Sequence, residues 1–241
     1  MREVRCLPNS FERISGSRNP RSNQVLRIVI MSYSIKTLYY TLQGEGFYTG
    51  RPAVFCRFSG CNLWSGLEKD RKTATCNFCD TEFVGTDGLN GEKYSTAESV
   101  AEKALSLWPS ESGTKPYVVC TGGEPLLQLD SKLISAFHKS RFEIGIETNG
   151  TIPVPDGIDW VCVSPKSGAD FIVKHGDELK IVYPQNGLDP SNYIGLQFDH
   201  FSLQPMDGPN TQETTKLTLN YCMNHPQWKL SLQTHKLLNI P

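Results

Sequence analysis

Residues 117–125 have the sequence YVVCTGGEP, a short apolar run that ends in a polar turn containing two glycines. Apolar runs of this length, bounded by turn residues, are typical of strands buried on both faces of a parallel sheet. The same order recurs at 143–150, 160–166, 200–207 and 228–236. The carboxyl ends of parallel strands meet at one edge of a sheet, and α/β proteins bind their ligands there. The five polar clusters therefore predict one shared site.

Helical patterns lie between several of these runs. A capping-box sequence at Ser95–Glu98 predicts a helix that ends before Trp108, and amphipathic patterns predict helices at Leu126–Lys139 and Thr211–Asn224. Two further strands are predicted, at Ala53–Phe58 and Leu179–Val182. This alternation indicates an α/β fold with a mainly parallel sheet. The chain is too short for the eight βα units of a closed barrel, so we expect a partial, open βα barrel.

The composition is that of an ordinary globular chain, with 241 residues, 38% hydrophobic and 20% charged. It excludes collagen, coiled coils and wholly disordered chains. No apolar run approaches the roughly 20 residues needed to cross a bilayer. The net charge of −1 provides no global basic field for nucleic acid. We therefore expect neither a membrane nor a nucleic acid as a partner.

The first 30 residues differ from the rest in charge. They contain six Arg and two Glu, whereas 31–241 contain 18 basic and 23 acidic residues. The best candidate for a signal-peptide core, Val25–Met31, is interrupted by Arg27, so we predict a cytoplasmic protein. An acid-poor leader rich in Arg and Ser is also compatible with a transit peptide. We expect 1–30 to be a disordered extension or a start-site artefact, and 31–241 to be the single catalytic domain.

Eight cysteines are the unusual feature of the composition. In a chain that is not exported the thiols stay reduced, and clustered thiols then indicate metal binding. Cys61, Cys76 and Cys79 form the pattern C-x14-C-x2-C directly after a predicted strand. Thiolates bind zinc and iron–sulfur clusters, but a structural zinc needs four ligands and no fourth is obvious. Three interpretations remain open: a four-iron cluster with one open iron, a zinc site, or core cysteines. The other five are assigned to packing or to no role: Cys6, Cys56, Cys120, Cys162 and Cys222.

These motifs together resemble the 7-carboxy-7-deazaguanine synthases of the radical S-adenosylmethionine (SAM) superfamily. The matching segments are the cysteine triplet, TGGEP at 121–125, YTLQGEG at 40–46, RFSGCNL at 57–63, CDT at 79–81, and QTHK at 233–236 leading to Pro241. The superfamily's usual spacing is C-x3-C-x2-C, and this chain departs from it by an insertion at roughly Leu67–Asn77. A lengthened cluster loop of this kind marks a subset of the family.

The resemblance implies a barrel of the radical SAM type with a [4Fe–4S] cluster on Cys61, Cys76 and Cys79, whose fourth iron is chelated by SAM. It implies a SAM site made of Phe78, Asp80, Gly123, Glu124, Ser164, Pro165, Lys166, Gln204, Pro205, Met206 and Asp207. Gly123 is expected to let the backbone approach the methionine end of SAM, where a Cβ would clash. Glu124 is expected to accept from the SAM ammonium group, and Phe78 to pack on the adenine.

The implied substrate is 6-carboxy-5,6,7,8-tetrahydropterin, a flat polar heterocycle that carries a carboxylate. Its implied contacts are Leu42, Gln43, Gly44, Glu45, Arg57, Thr121 and Pro241. Arg57 offers a planar donor fork to the substrate carboxylate, and the terminal carboxylate of Pro241 accepts from the pterin amino groups. Thr81 matches the family's Mg²⁺ position, where a hard hydroxyl oxygen suits the ion.

The implied reaction is a radical ring contraction. A 5′-deoxyadenosyl radical abstracts the hydrogen at C6, the ring rearranges with loss of ammonia, and the hydrogen returns so that SAM is reused. The product, 7-carboxy-7-deazaguanine, feeds queuosine synthesis. The resemblance also implies a homodimer and an external one-electron reductant such as flavodoxin. His235 and Lys236 lie near the predicted site without an assigned role. The rival interpretations are another radical SAM enzyme, such as an activator of a glycyl-radical protein, and a zinc-stabilised binding module.

Overall fold

A computed structural model describes residues 32–111 and 113–241, so the expectations for residues 1–30 and for Met31 as initiator lie outside the described residues. The nine strands are β1 Tyr33–Leu42, β2 Pro52–Phe58, β3 Glu92–Tyr94, β4 Tyr117–Gly122, β5 Glu143–Thr148, β6 Trp160–Val163, β7 His175–Tyr183, β8 Gln197–Pro205 and β9 Lys229–Leu230. The α-helices are α1 Ala97–Leu107, α2 Ser131–Lys139, α3 Thr211–Asn224 and α4 Thr234–Leu238, and short 3-10 helices occur at Glu68–Thr73, Pro125–Leu127 and Pro190–Tyr193. In the described ranges, no helix has the length and apolarity required to span a membrane.

All nine strands belong to one sheet, in the order β3-β1-β2-β4-β5-β6-β7-β8-β9. The seven strands from β2 to β9 run parallel, whereas β1 pairs antiparallel with both β2 and β3. Within the described residues β3 and β9 are the two free edges, so the sheet does not close. The prediction of an open, mainly parallel α/β barrel is confirmed.

The core lies between the sheet and its helices, and this leaves the other face of the strands for polar residues. One apolar cluster joins α1 and α2 to β1, β2, β4 and β5, and a second joins α3 to β7 and β8. Alternation along β7 illustrates the division: Leu179 and Ile181 are fully buried in the core, while Glu178 and Lys180 point to the opposite face. The strands thus hold charged side chains inside the barrel.

Two helices begin later than predicted, because each begins after the residue whose side chain caps it. The N-cap of α1 is Thr96, one residue later than the predicted capping box, and its hydroxyl accepts from the Ser99 N–H at 3.1 Å. The helix predicted from Leu126 is interrupted after the 3-10 turn, and α2 begins only after Asp130, whose carboxylate accepts from the Leu133 N–H at 3.0 Å. Asp competes for backbone N–H groups and therefore favours the cap over the helix interior.

Candidate functional site

The five polar clusters at the carboxyl ends of the strands meet around one cavity of about 590 Å³. Each cluster contributes to its wall, together with the β1–β2 loop and the cysteine loop. Of the residues predicted for the site, those lining the cavity are Leu42, Gln43, Gly44, Glu45, Arg57, Cys61, Cys76, Phe78, Cys79, Asp80, Thr81, Thr121, Gly123, Ser164, Lys166, Gln204, Pro205, Asp207 and Pro241. Parallel topology therefore brings together residues that are 200 positions apart in the chain.

The three cysteines of the triplet occupy one wall of this cavity. Cys61 follows β2 and accepts the Leu63 N–H at 3.4 Å, while Cys76 and Cys79 come from the end of the lengthened loop. The hydrogen bond between the last two thiols lowers the pKa of Cys79 to about 6 and raises the pKa of Cys76. One thiol of the pair is therefore readily available as a thiolate, the form that binds metal.

The triplet faces the open volume of the cavity. Among residues 32–111 and 113–241, no group of three or more His, Cys, Asp or Glu side chains is gathered tightly enough to hold one metal ion. The cavity of about 590 Å³ has room in front of the thiols for a cluster and a further ligand. Three thiolates with open space in front of them fit a four-iron cluster that leaves one iron free for SAM.

A half-buried lysine provides positive charge beside the thiols. The Nζ of Lys166 donates to the carbonyl oxygen of Ser164 at 2.6 Å and to its hydroxyl at 2.7 Å. Burial lowers the pKa of Lys166, and the neighbouring thiolates of Cys76 and Cys79 act in the opposite direction. A cation held in this way compensates part of the negative charge that thiolates and an anionic ligand bring into the cavity.

The Gly122-Gly123-Glu124 turn packs directly against the cysteine loop. A Cβ on Gly123 would lie 2.0 Å from the Gly60 carbonyl oxygen and 2.9 Å from the Cys61 Cβ, so only glycine allows this approach. Glu124 lies behind the cavity wall with no exposed surface. Its carboxylate accepts from the Thr148 hydroxyl and from the Asn149 N–H, both at 2.8 Å, which ties the ends of β4 and β5 together.

Three residues predicted for the SAM site do not line the cavity: Glu124, Pro165 and Met206. Burial raises the pKa of Glu124, and hydrogen bonds from its neighbours offset only part of that shift. Its carboxylate accepts from Leu126, Thr148 and Asn149, and these bonds hold the ends of β4 and β5 together. The expected contact between Glu124 and the SAM ammonium stays a prediction, as do the contacts of the other two residues.

Residues predicted for the substrate lie at the β1 side of the cavity. The Nη2 of Arg57 is 3.4 Å from the Tyr39 hydroxyl, which leaves the rest of its donor fork available to the cavity. The backbone oxygen of Pro241 accepts from the Thr41 hydroxyl at 3.1 Å, so the chain terminus lies at the rim. Thr81 lines the same cavity next to Asp80.

A buried charge network forms the deep part of the cavity. Its central residue, Lys180, is not among the residues predicted for the site from the sequence. Its Nζ lies 2.5 Å from a Glu45 oxygen and 3.4 Å from a Glu147 oxygen. Glu147 also accepts from the Gln43 amide at 2.9 Å and faces the Thr121 hydroxyl at 3.5 Å. The signal was a lysine within the apolar strand run 179–182, a position where unpaired charge is costly.

This network keeps Glu45 ionised. Burial alone would raise the pKa of Glu45, but the Lys180 ammonium and the Gln233 amide reverse that effect and lower the pKa to about 2. Burial likewise acts to lower the pKa of Lys180, yet Glu147 and Glu45 raise it well above its ordinary value. At neutral pH the deep end of the cavity therefore presents the Glu45 carboxylate as an acceptor.

The C-terminal segment closes the open side of the cavity. The Nζ of Lys236 lies 2.6 Å from both Asp80, on the cysteine loop, and Asp207, after β8. Gln233 donates to Asp80 at 3.0 Å and to Glu45 at 2.9 Å. Burial would raise the pKa of Asp80, but hydrogen bonds from Lys236 and Gln233 lower it. Lys236 thus links two loops to α4, and Gln233 adds the β1–β2 loop. His235 lines the cavity.

Comparison with known proteins gives relatives that cover most of the chain. No protein-family model matches the chain. The 7-carboxy-7-deazaguanine synthase of Bradyrhizobium diazoefficiens is 57% identical over 210 residues, covering 87% of this chain and all of the relative. The enzyme of the same name from Burkholderia multivorans is 56% identical over 211 residues, covering 88% of this chain and all of the relative. The crystal structure of QueE from Escherichia coli matches with a TM-score of 0.61 and 26% identity, over 84% of this chain and 94% of that one.

Proposed function

This chain belongs to the 7-carboxy-7-deazaguanine synthase family, radical SAM enzymes that use a [4Fe–4S] cluster and SAM, and we propose that its cavity converts 6-carboxy-5,6,7,8-tetrahydropterin to 7-carboxy-7-deazaguanine with loss of ammonia. The observation that carries this assignment is the position of the three thiols. Cys61, Cys76 and Cys79 share a wall with the polar strand ends in one cavity. In this proposal the metal cluster and the organic substrate bind side by side in that cavity.

Cys61, Cys76 and Cys79 hold the cluster in this proposal. When bound, the cluster and SAM supply hydrogen-atom abstraction from an unactivated C–H bond. The chain's own contribution is to bind and orient. Gly123 allows the β4 turn to approach the cluster loop, and the Lys166 ammonium offsets the negative charge of the thiolates. The SAM site extends over wall residues from the cysteine loop, the β6 end and the β8 end: Phe78, Asp80, Ser164, Gln204, Pro205 and Asp207, with Glu124, Pro165 and Met206 beside them.

The charge distribution of the cavity matches the substrate. A carboxylated pterin has an anionic group at one end and N–H donors at the other. Arg57 offers a guanidinium for the carboxylate, and the buried carboxylates of Glu45 and Glu147 offer acceptors for the N–H groups. Leu42, Gln43, Gly44, Thr121 and the terminal carboxylate of Pro241 complete the proposed contacts. Lys180 holds Glu45 ionised, so that its carboxylate accepts and does not donate.

Closure by the C-terminal segment serves the same chemistry. A carbon radical reacts with any neighbouring C–H or solvent molecule, so the substrate must be held still and dry. Lys236 and Gln233 tie the cysteine loop, the β8 loop and the β1 loop together across the open side. We assign Mg²⁺ to Thr81, whose hydroxyl oxygen suits a hard cation beside substrate oxygens and water.

Three further features belong to the proposal. The protein acts as a homodimer, takes electrons from an external one-electron donor such as flavodoxin, and resides in the cytoplasm. The proposed cluster motivates the last assignment, because its thiolate ligands must stay reduced. Sedimentation velocity and reduction by purified flavodoxin test the first two.

Anaerobic turnover tests the proposed function. The full chain is reconstituted with iron and sulfide and assayed with SAM, Mg²⁺, dithionite and the carboxytetrahydropterin. We expect 7-carboxy-7-deazaguanine as product, with SAM recovered, and no product from Cys79→Ala. Stoichiometric zinc without acid-labile sulfide would instead identify a binding module. A bound cluster that cleaves SAM but leaves the pterin unchanged would identify another radical SAM reaction. Omission of Mg²⁺ that leaves the rate unaltered would contradict the Thr81 assignment.

A further inference from the structure

The lengthened cysteine loop contains a residue that contacts both of its ends. Arg71 lies in the 3-10 helix Glu68–Thr73, inside the insertion that separates Cys61 from Cys76. Its Nη1 donates to the backbone carbonyl of Asn77 at 3.1 Å and to that of Cys79 at 3.0 Å. These two carbonyls flank Phe78, so the guanidinium fixes the backbone of the Cys76–Cys79 turn.

The same guanidinium reaches the other end of the loop through Trp64. Its Cζ lies 4.1 Å from the centroid of the Trp64 ring, a cation–π contact. Trp64 is itself anchored: it is only 7% exposed, packs edge-on against Phe83, and donates to the Leu67 carbonyl at 3.2 Å. Trp64 is three residues from Cys61, so Arg71 joins the Cys61 side of the loop to the Cys79 side.

Glu68 orients the guanidinium. Its two carboxylate oxygens accept from Arg71 Nε at 2.8 Å and from Nη2 at 2.5 Å, a bidentate pair. This leaves Nη1 aimed at the two carbonyls. A planar fork can satisfy a carboxylate, two carbonyls and a ring face at once, whereas an ammonium group on a flexible stem cannot.

We propose that Arg71 is a positioning residue for the iron–sulfur cluster: it pre-forms the C-x14-C-x2-C loop and places a positive charge next to Cys79. A loop of this length costs conformational entropy to close before metal binds. Because of the Arg71 contacts, the loop is already closed in the folded chain before metal binds. They also put a cation beside a ligand whose cluster becomes more negative on reduction, which favours the reduced state. The inference rests on the proposed assignment of the three cysteines as cluster ligands.

The test compares Arg71→Ala with Arg71→Lys in the full, reconstituted chain, using Lys69→Ala as the matched control. Lys69 belongs to the same 3-10 helix and its side chain is exposed. Two readouts do not depend on turnover: the rate of iron loss to a chelator, and the midpoint potential of the cluster by anaerobic redox titration. We expect Arg71→Ala to lose iron about tenfold faster, as removal of hydrogen bonds from a charged donor implies. Its potential should move to more negative values.

The lysine variant separates charge from geometry. Arg71→Lys should recover most of the potential but little of the chelator resistance, because it keeps the charge and lacks the fork. Lys69→Ala should match the wild type in both. Equal iron loss in all variants, or an unchanged potential in Arg71→Ala, would overturn the inference. If the wild-type chain itself binds no cluster, the proposed function fails first, so the two failures are distinguishable. Circular dichroism of each apoprotein identifies a variant that does not fold. If Arg71→Ala does not fold, the comparison of Arg71→Lys with the wild type decides the inference.

Discussion

Replacing Lys180 with Met removes the buried ammonium that two half-buried carboxylates share. The lysine side chain is 5% exposed, and the side chains of Glu45 and Glu147 are 17% and 22% exposed. Met fills a similar volume without charge, so the variant leaves both carboxylates without their counter-ion. Removing one partner of a buried ion pair costs about 3–5 kcal/mol.

The lowered pKa of Glu45 gives a second estimate of the same quantity. A fall from 4.5 to about 2 in the folded state corresponds to roughly 3 kcal/mol at about 1.4 kcal/mol per unit. The two estimates agree, and we expect Lys180→Met to lower the free energy of unfolding by about 3–4 kcal/mol at neutral pH.

The pH dependence identifies the cause. A carboxylate with a lowered folded pKa stabilises the native state above its unfolded pKa, and this contribution is lost as the pH falls through the folded value. In the variant, burial without a counter-ion raises the pKa of Glu45, so stability is instead lost as the pH rises. The difference between the two proteins should therefore be largest at neutral pH and shrink below about pH 4.5.

Urea denaturation of the chain with the cluster removed, followed by tryptophan fluorescence between about pH 4 and 8, measures this difference. Lys216→Met, at an exposed position on α3, controls for the loss of a positive charge. A difference under about 1 kcal/mol at neutral pH, the size of an exposed pair, would refute the assignment of Lys180 as the counter-ion. A difference that does not vary with pH would refute the role of Glu45.

Three other substitutions test the site. Gly123→Ala forces a Cβ against the Gly60 carbonyl. We expect a loss of about 1–3 kcal/mol in stability and a parallel loss of cluster content. A normal unfolding midpoint with full iron content would contradict the close approach of the two loops. Thr148→Val removes one of the two donors to Glu124 Oε1 and leaves the Leu126 N–H, which should cost about 1–3 kcal/mol in urea denaturation; an unchanged midpoint would show that this bond contributes nothing. Arg57→Ala should raise the KM for the pterin at least tenfold, the effect of losing a charge-assisted pair, while SAM cleavage persists; an unaltered KM would remove Arg57 from the substrate site.

The sequence by itself determined the fold class and the location of the site. Buried parallel strands appear as apolar runs, and their polar ends appear directly after them, so YVVCTGGEP and its four counterparts predicted both the sheet and the edge at which the cavity lies. The cysteine spacing also depends only on local sequence. These features can be predicted from the sequence because strand periodicity and loop chemistry are local properties of the chain.

Only the tertiary structure decided which charges meet. Lys180 and Glu45 are 135 positions apart, and Lys236 and Asp80 are 156 apart, yet each pair lies within hydrogen-bond distance. The same holds for Glu124, whose carboxylate joins Thr148 and Asn149, 24 and 25 positions further along the chain. Such contacts depend on the crossover connections, on the inward or outward facing of each strand residue, and on loops that pack against one another. No local pattern encodes these, because the free energy of a buried charge depends on partners that only folding brings near.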